Sequence, residues 1–74
     1  MFEKVQMIIS QYSGVKKDKL KRETDLVKEL ELTSLDVVNL VVEFEDALDI
    51  DIPNSDIRKF RYLQDIVDYL EARV

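Results

Sequence analysis

Cysteine and histidine are both absent from the 74-residue sequence, which also has only one glycine and one proline. Without cysteine the chain can form neither a disulfide nor a thiolate site. Without histidine as well, it lacks side chains that often bind metals or act as general acids and bases, so we expect neither a metal site nor catalytic residues. The scarcity of glycine argues against a hairpin-rich fold, because tight turns need residues that adopt positive φ.

Long apolar runs are absent too. No stretch of the sequence approaches the roughly 20 apolar residues that a membrane-spanning helix requires. The first residues, Met1 to Val5, place no basic segment ahead of an apolar one. We therefore expect a cytoplasmic protein without membrane insertion.

Lysine and arginine are missing from residues 29–57, although the whole chain contains 11 of them. This segment holds nine acidic residues: Glu29, Glu31, Asp36, Glu43, Glu45, Asp46, Asp49, Asp51 and Asp56. The rest of the chain, with seven acids and eleven bases, is net positive, and the overall charge is −5. The sustained basic face that nucleic-acid binding requires is not visible. The acidic segment instead predicts protein partners that carry basic patches.

Apolar periodicity predicts an all-α fold, a bundle with three main helices and a short third helix, in a single domain that covers residues 1–74. The predicted helices are residues 2 to about 11 or 12, ending before Gly14; residues 34–48; a short helix through Phe60 capped by Asn54 or Ser55; and residues 63 to the C-terminus. Residues 15–32 form a long loop without sustained periodicity, which apolar contacts must hold in place.

The apolar residues of the second helix fall on two faces. One stripe, roughly 120° wide at 100° per residue, is expected to face the core; it consists of Val37, Leu40, Val41, Phe44, Ala47 and Leu48. Leu35, Val38 and Val42 lie opposite and should be exposed. Exposed aliphatic residues edged with acids are typical of a partner-docking surface, although scattered exposed aliphatics are also ordinary. The predicted docking set is Leu35, Asp36, Val38, Asn39, Val42, Glu45 and Asp46.

Ser34 opens this second helix, directly before its first apolar residue. A helix start offers unpaired backbone N–H groups and the positive end of the helix dipole, so a phosphodiester attached there would be favourably placed. A purely structural role competes with this interpretation. Thr33 and Asp36 fit the capping-box spacing, so either Thr33 or Ser34 can serve as the cap of the helix.

The segment from Thr33 to Val41 resembles the Asp-Ser-Leu motif, and the acidic and apolar helix after it, of acyl carrier proteins. The flanking segments agree with that family at consistent spacing: Ile8-Ile9, Gly14-Val15-Lys16, Leu26-Val27-Lys28-Glu29-Leu30, Ile52-Pro53 and Gln64-Asp65-Ile66-Val67-Asp68-Tyr69-Leu70. The similarity therefore extends over nearly the whole chain.

This resemblance implies a non-catalytic carrier. A phosphopantetheinyl transferase would attach 4′-phosphopantetheine from coenzyme A to Ser34, and acyl groups would travel as thioesters on its terminal thiol in fatty-acid or related biosynthesis. The implied partners are that transferase and acyl-processing enzymes with basic docking patches, and we expect a monomer. The implied acyl pocket is lined by Val27, Val37, Leu40, Phe44, Ile57, Phe60 and Ile66.

Several positions depart from the pattern of that family. Thr33 stands in place of the usual acid before the serine, Asn39 in place of a usual glutamate, and Glu31 in place of a common glycine. Ile57 and Ile66 stand where alanine is frequent, and their extra methylenes should narrow the pocket. These departures leave two alternatives open: a specialised polyketide or peptidyl carrier, and an unmodified helical protein-interaction module.

Overall fold

Helices account for all the regular secondary structure that the computed structural model of this chain describes, over residues 1–73. The α-helices are α1 (Phe2–Ser13), α2 (Ser34–Leu48), α3 (Asn54–Ile57) and α4 (Leu63–Glu71), with one 3₁₀ turn at Lys17–Lys19. The predicted all-α fold with three main helices and a short third one is confirmed. The fourth helix ends at Glu71, and Val74 lies outside the described residues.

The single glycine ends α1, as its position predicts. Gly14 has a φ of 79°, in the left-handed region, and its N–H donates a hydrogen bond to the Ser10 carbonyl. This conformation costs glycine little because it has no Cβ. The chain thereby leaves α1 one or two residues later than the apolar periodicity predicts.

Side chains from all three long helices share one core. Its fully buried members are Val5, Ile9, Leu20, Leu26, Leu40, Val41, Phe44, Leu63, Ile66, Val67 and Leu70. The core stripe of α2 is confirmed at Val37, Leu40, Val41 and Phe44. At the C-terminal end of this stripe the prediction is wrong for Ala47, which is exposed because α1 and α2 leave a groove there, lined by Ala47 and Tyr12.

The loop between α1 and α2 is held by both apolar and polar contacts. Leu20 and Leu26 are fully buried, as the sequence requires of a long loop in a small domain. The Gln6 side chain adds a polar anchor that periodicity does not reveal. Its Nε2 donates hydrogen bonds to the carbonyls of Lys17, at 3.2 Å, and Leu20, at 2.7 Å.

The same loop is joined to the start of α4 through backbone and side-chain bonds. Leu26 N–H donates to the Arg61 carbonyl at 2.8 Å, and Leu63 N–H donates to the Thr24 carbonyl at 2.9 Å. The buried Asp25 carboxylate accepts from the Lys28 N–H and from Arg61 Nε, which lowers the pKa of Asp25. These bonds fix the loop that leads into α2.

The short helix α3 differs from its predicted bounds. Pro53, with a φ of −63°, is the N-cap residue, where the sequence predicts Asn54 or Ser55. Its missing N–H costs nothing there, because an N–H before the first turn has no partner within the helix. The helix ends at Ile57, so Phe60 lies beyond it, buried with its ring edge-on to Tyr69. The Tyr69 hydroxyl donates to Asp56 at 2.7 Å, which ties α3 to α4.

Glu31 generates a first prediction, because its φ of 55° is left-handed in a residue that carries a Cβ. We expect Glu31→Gly to raise the free energy of unfolding by about 0.5–1 kcal/mol and the melting temperature by roughly 2–8 °C. Glu31→Gln is the matched control, since it removes the charge and keeps the strain. Equal melting temperatures for the Gly and Gln variants would contradict this explanation.

Candidate functional site

Ser34 is the first residue of α2, and it is exposed. The helix is capped by its neighbour: Thr33 Oγ1 accepts a hydrogen bond from the Asp36 N–H at 3.1 Å. The Asp36 carboxylate in return accepts from the Thr33 N–H at 3.0 Å, which completes a capping box. Among residues 1–73 the Ser34 hydroxyl has no hydrogen-bond partner, so its oxygen faces solvent at the helix start.

The Asp36 carboxylate links the start of α2 to α1. Its Oδ1 accepts a hydrogen bond from the Tyr12 hydroxyl at 3.0 Å, and its Oδ2 accepts from both the backbone and the hydroxyl of Thr33. The backbone bond from Thr33 is the main reason that the pKa of Asp36 is lowered, and the Tyr12 hydroxyl adds to it. These bonds hold the first turn of α2 against α1.

An open cleft of about 680 Å³ begins beside Ser34. It runs between the N-terminal half of α2, the α3 region and the preceding loop. Its lining consists of Val27, Leu32, Thr33, Ser34, Val37, Val38, Asn54, Ile57, Arg58 and Phe60. Most of these side chains are aliphatic or aromatic, so the cleft offers an apolar surface next to an exposed hydroxyl.

The cleft includes only part of the acyl pocket that the sequence implies. Val27, Val37, Ile57 and Phe60 line it, whereas Leu40, Phe44 and Ile66 do not. Those three side chains are buried in the closed core, with at most 1% of their surface exposed. The resemblance assigns them to the acyl pocket, and in this structure they lie in the core beside the cleft, because helical periodicity marks an inward face without showing where packing leaves space.

The sequence does not show how exposed the Val27 wall of the cleft is, or that Arg58 and Asn54 belong to the lining. Val27 is 52% exposed, so it forms an outer wall and contributes nothing to the closed core. Arg58 and Asn54, which lie in and next to α3, also line the cleft. Apolar spacing could not predict this, because both residues are polar. Ile57 is half-buried and lines the cleft.

The predicted outer surface of α2 is exposed at its three aliphatic positions: Leu35 at 67%, Val38 at 39% and Val42 at 45%. Asn39 and Asp46 are exposed as well. Two acids of the predicted docking set, Asp36 and Glu45, are instead half-buried and bonded within the chain.

Glu45 closes the end of α2. Its Oε2 accepts a hydrogen bond from the Ile52 N–H at 2.8 Å, which fixes the position of this carboxylate while it keeps its negative charge. Asp36 and Glu45 thus differ from the other members of the predicted docking set, because each carboxylate also satisfies backbone donors of its own chain.

Residues 1–73 contain no group of three or more acidic side chains arranged to hold a metal ion. Within the same residues, no helix is long and apolar enough to cross a membrane.

The sequence matches the family model described as a phosphopantetheine attachment site over residues 3–70. It is also similar to proteins named acyl carrier protein. The one from Bdellovibrio bacteriovorus is 40% identical over 70 residues, which cover 95% of this chain and 90% of that protein. Those from Trieres chinensis and Campylobacter lari are 37% and 35% identical over 71 residues, which cover 96% of this chain and 89% and 92% of the respective proteins.

The Asp36 contacts predict a pH-dependent effect of Asp36→Asn. Because the folded-state pKa of Asp36 lies below the ordinary value of 3.8, its carboxylate stabilises the fold above that pH, and the stabilisation is lost as the pH falls through the folded pKa. We expect the variant to melt at a lower temperature than the wild type at pH 7, and the difference to shrink as the pH drops below 3.8.

Asp46→Asn is the matched control, since Asp46 is exposed and has no bonding partner among residues 1–73. Its melting temperature should follow that of the wild type at each pH. A melting-temperature difference for Asp36→Asn that is the same at pH 7 and at pH 3 would contradict the assigned role of the carboxylate.

Proposed function

This chain belongs to the acyl carrier protein family, whose members are non-catalytic carriers of 4′-phosphopantetheine, and on that premise we propose that Ser34 is its attachment residue. We further propose that acyl groups are carried as thioesters on the thiol of that arm, in fatty-acid or related biosynthesis. Ser34 lies within the matched segment, residues 3–70.

The observation that carries this proposal is the exposed, unbonded hydroxyl of Ser34 beside the cleft. Thr33 supplies the capping oxygen, so modification of Ser34 removes no hydrogen bond of the helix. The N–H groups of the first turn and the helix dipole favour a negative phosphodiester at this position. Attachment at Ser34 is thus compatible with an intact α2.

Transfer of the arm is a displacement at phosphorus. The Ser34 oxygen forms a bond to the phosphorus that bears the pantetheine of coenzyme A, and the bond to the nucleotide phosphate breaks. The nucleotide leaves as adenosine 3′,5′-bisphosphate, and the hydroxyl proton passes to the transferase. The arm also supplies the only thiol, since the sequence has no cysteine.

The apolar wall of the cleft supports an aliphatic cargo over a peptidyl one. Val37, Ile57 and Phe60 present hydrocarbon surface next to the attachment point. Each methylene moved from water onto such a surface contributes about 0.8 kcal/mol when fully buried. A polar peptidyl group would have to give up hydrogen bonds with water there and would gain few in return.

Partner enzymes are proposed to dock on the outer face of α2. Leu35, Val38 and Val42 form an exposed apolar stripe, with Asp46 beside it. Acyl carrier proteins work with phosphopantetheinyl transferases and acyl-processing enzymes, so each encounter must be short. Basic patches on those partners would speed association with the acidic segment more than they would prolong binding.

The attachment proposal predicts opposite effects for two adjacent hydroxyl residues. After incubation with coenzyme A and a phosphopantetheinyl transferase, Ser34→Ala should gain neither mass nor a titratable thiol, while its helicity and melting temperature stay close to those of the unmodified wild type. Thr33→Ala should still be modified, but it should lose about 1 kcal/mol of stability with its cap. Intact-mass spectrometry, thiol titration and thermal unfolding measure these effects. A modified Ser34→Ala chain would refute the assignment.

If partners dock on this face of α2, reversing an exposed charge there should weaken docking without changing the stability of the fold. Asp46→Lys should reduce kcat/KM of a partner enzyme for the loaded carrier by about 3- to 10-fold at low salt, mainly through KM, and added salt should diminish the difference. Val38→Ala should also weaken binding. Glu71→Lys, at the exposed end of α4, is the matched charge control. Equal losses for Asp46→Lys and Glu71→Lys would place the docking surface elsewhere.

A further inference from the structure

Arg58 is the one charged residue among the side chains that line the cleft. It follows α3 directly, at the end of the 29–57 segment that contains no lysine or arginine. Ser34 lines the same cleft from the first turn of α2. Arg58 and the proposed attachment residue, both exposed, therefore line one cleft.

Nearby basic residues have carboxylate partners, and Arg58 has none within residues 1–73. Lys59 pairs with Asp56 at 3.7 Å, and Arg61 pairs with Asp25 at 3.0 Å. Arg58 has neither an ion pair nor a side-chain hydrogen bond with the described residues, and every other residue of the cleft lining is uncharged. A guanidinium in that position is free to accept an anion, and its planar fork matches two oxygens of a phosphate.

We propose that Arg58 binds the phosphodiester of the prosthetic group on Ser34, and so holds the first part of the arm over the cleft. This inference rests on the proposed attachment at Ser34. The contact is partly open to water, so it is weak enough for a partner enzyme to release the arm when it docks. Arg58 would then favour a retracted arm, with the acyl group near the apolar wall of the cleft.

The phosphodiester fits Arg58 better than a carboxylate on the cargo does. Its phosphorus is bonded directly to the Ser34 oxygen, so it always lies at the edge of the cleft that Arg58 lines. A cargo carboxylate would sit at the far end of a flexible arm, where its effective concentration near any one residue is much lower. Because the phosphate is fixed beside Ser34, it is the anion that Arg58 is expected to bind.

The test measures how much attachment of the arm to Ser34 changes the melting temperature, and compares this change between the wild type and variants of Arg58. In low salt, this change should be more positive for the wild type than for Arg58→Gln by about 2–5 °C. Lys59→Gln is the matched control, because it removes the same charge one residue away and does not line the cleft. It should behave as the wild type does, and Arg58→Lys should keep part of the effect.

A second readout reports on the phosphate itself. The ³¹P resonance of the modified chain should shift in Arg58→Gln and stay in place in Lys59→Gln, and high salt should move the wild-type resonance towards the Arg58→Gln position. These measurements are made with the thiol arm alone and again with an acyl group that ends in a carboxylate.

Unchanged ³¹P shifts and equal melting changes in wild type and Arg58→Gln would overturn the inference. An Arg58 effect that appears only with the carboxylate-bearing acyl group would overturn it too, because the arginine would then bind cargo. Absence of modification at Ser34 in the wild type would refute the proposed function and this inference together. A modified chain without an Arg58 effect refutes the inference alone.

Discussion

The Asp36 carboxylate is the point on which the arrangement around Ser34 depends. It accepts hydrogen bonds from the backbone and hydroxyl of Thr33 and from the hydroxyl of Tyr12 on α1. These bonds end the preceding loop, begin α2 and hold its first turn against α1. Because Thr33 satisfies the helix start, Ser34 carries no structural hydrogen bond and is left exposed at the positive end of the helix dipole.

The apolar residues of this small chain form two groups, one that stabilises the closed core and one that lines the cleft. Leu40, Phe44 and Ile66 fill a closed core, whereas Val37, Ile57 and Phe60 border open space next to Ser34. Val37 is held in place by α2 itself, whereas Ile57 and Phe60 come from a segment with little helix, so bonds to the long helices must hold that wall in place. Backbone bonds between the loop and the start of α4, together with the Tyr69–Asp56 bond, supply that support.

Helical periodicity is sufficient to predict the three long helices, most of the buried stripe of α2 and its exposed stripe, because each depends on residues of one helix. It does not predict the Gln6 anchor, the bond from the Ile52 N–H to Glu45 or the entry of Arg58 into the cleft. Each of these brings together residues that lie in different segments. Glu31 is intermediate: the family resemblance marks its position as one for glycine, and the backbone there is left-handed.

Fragment mapping of the modified chain tests the central claim most directly. The protein is incubated with coenzyme A and a phosphopantetheinyl transferase, then digested, and tandem mass spectrometry locates the added group among its hydroxyl residues. Our account predicts the whole adduct on Ser34, with none on Thr33 or Ser55, because Thr33 is engaged in the capping box and Ser55 lies on the short helix α3. An adduct on either of those residues, with Ser34 unmodified, would contradict it.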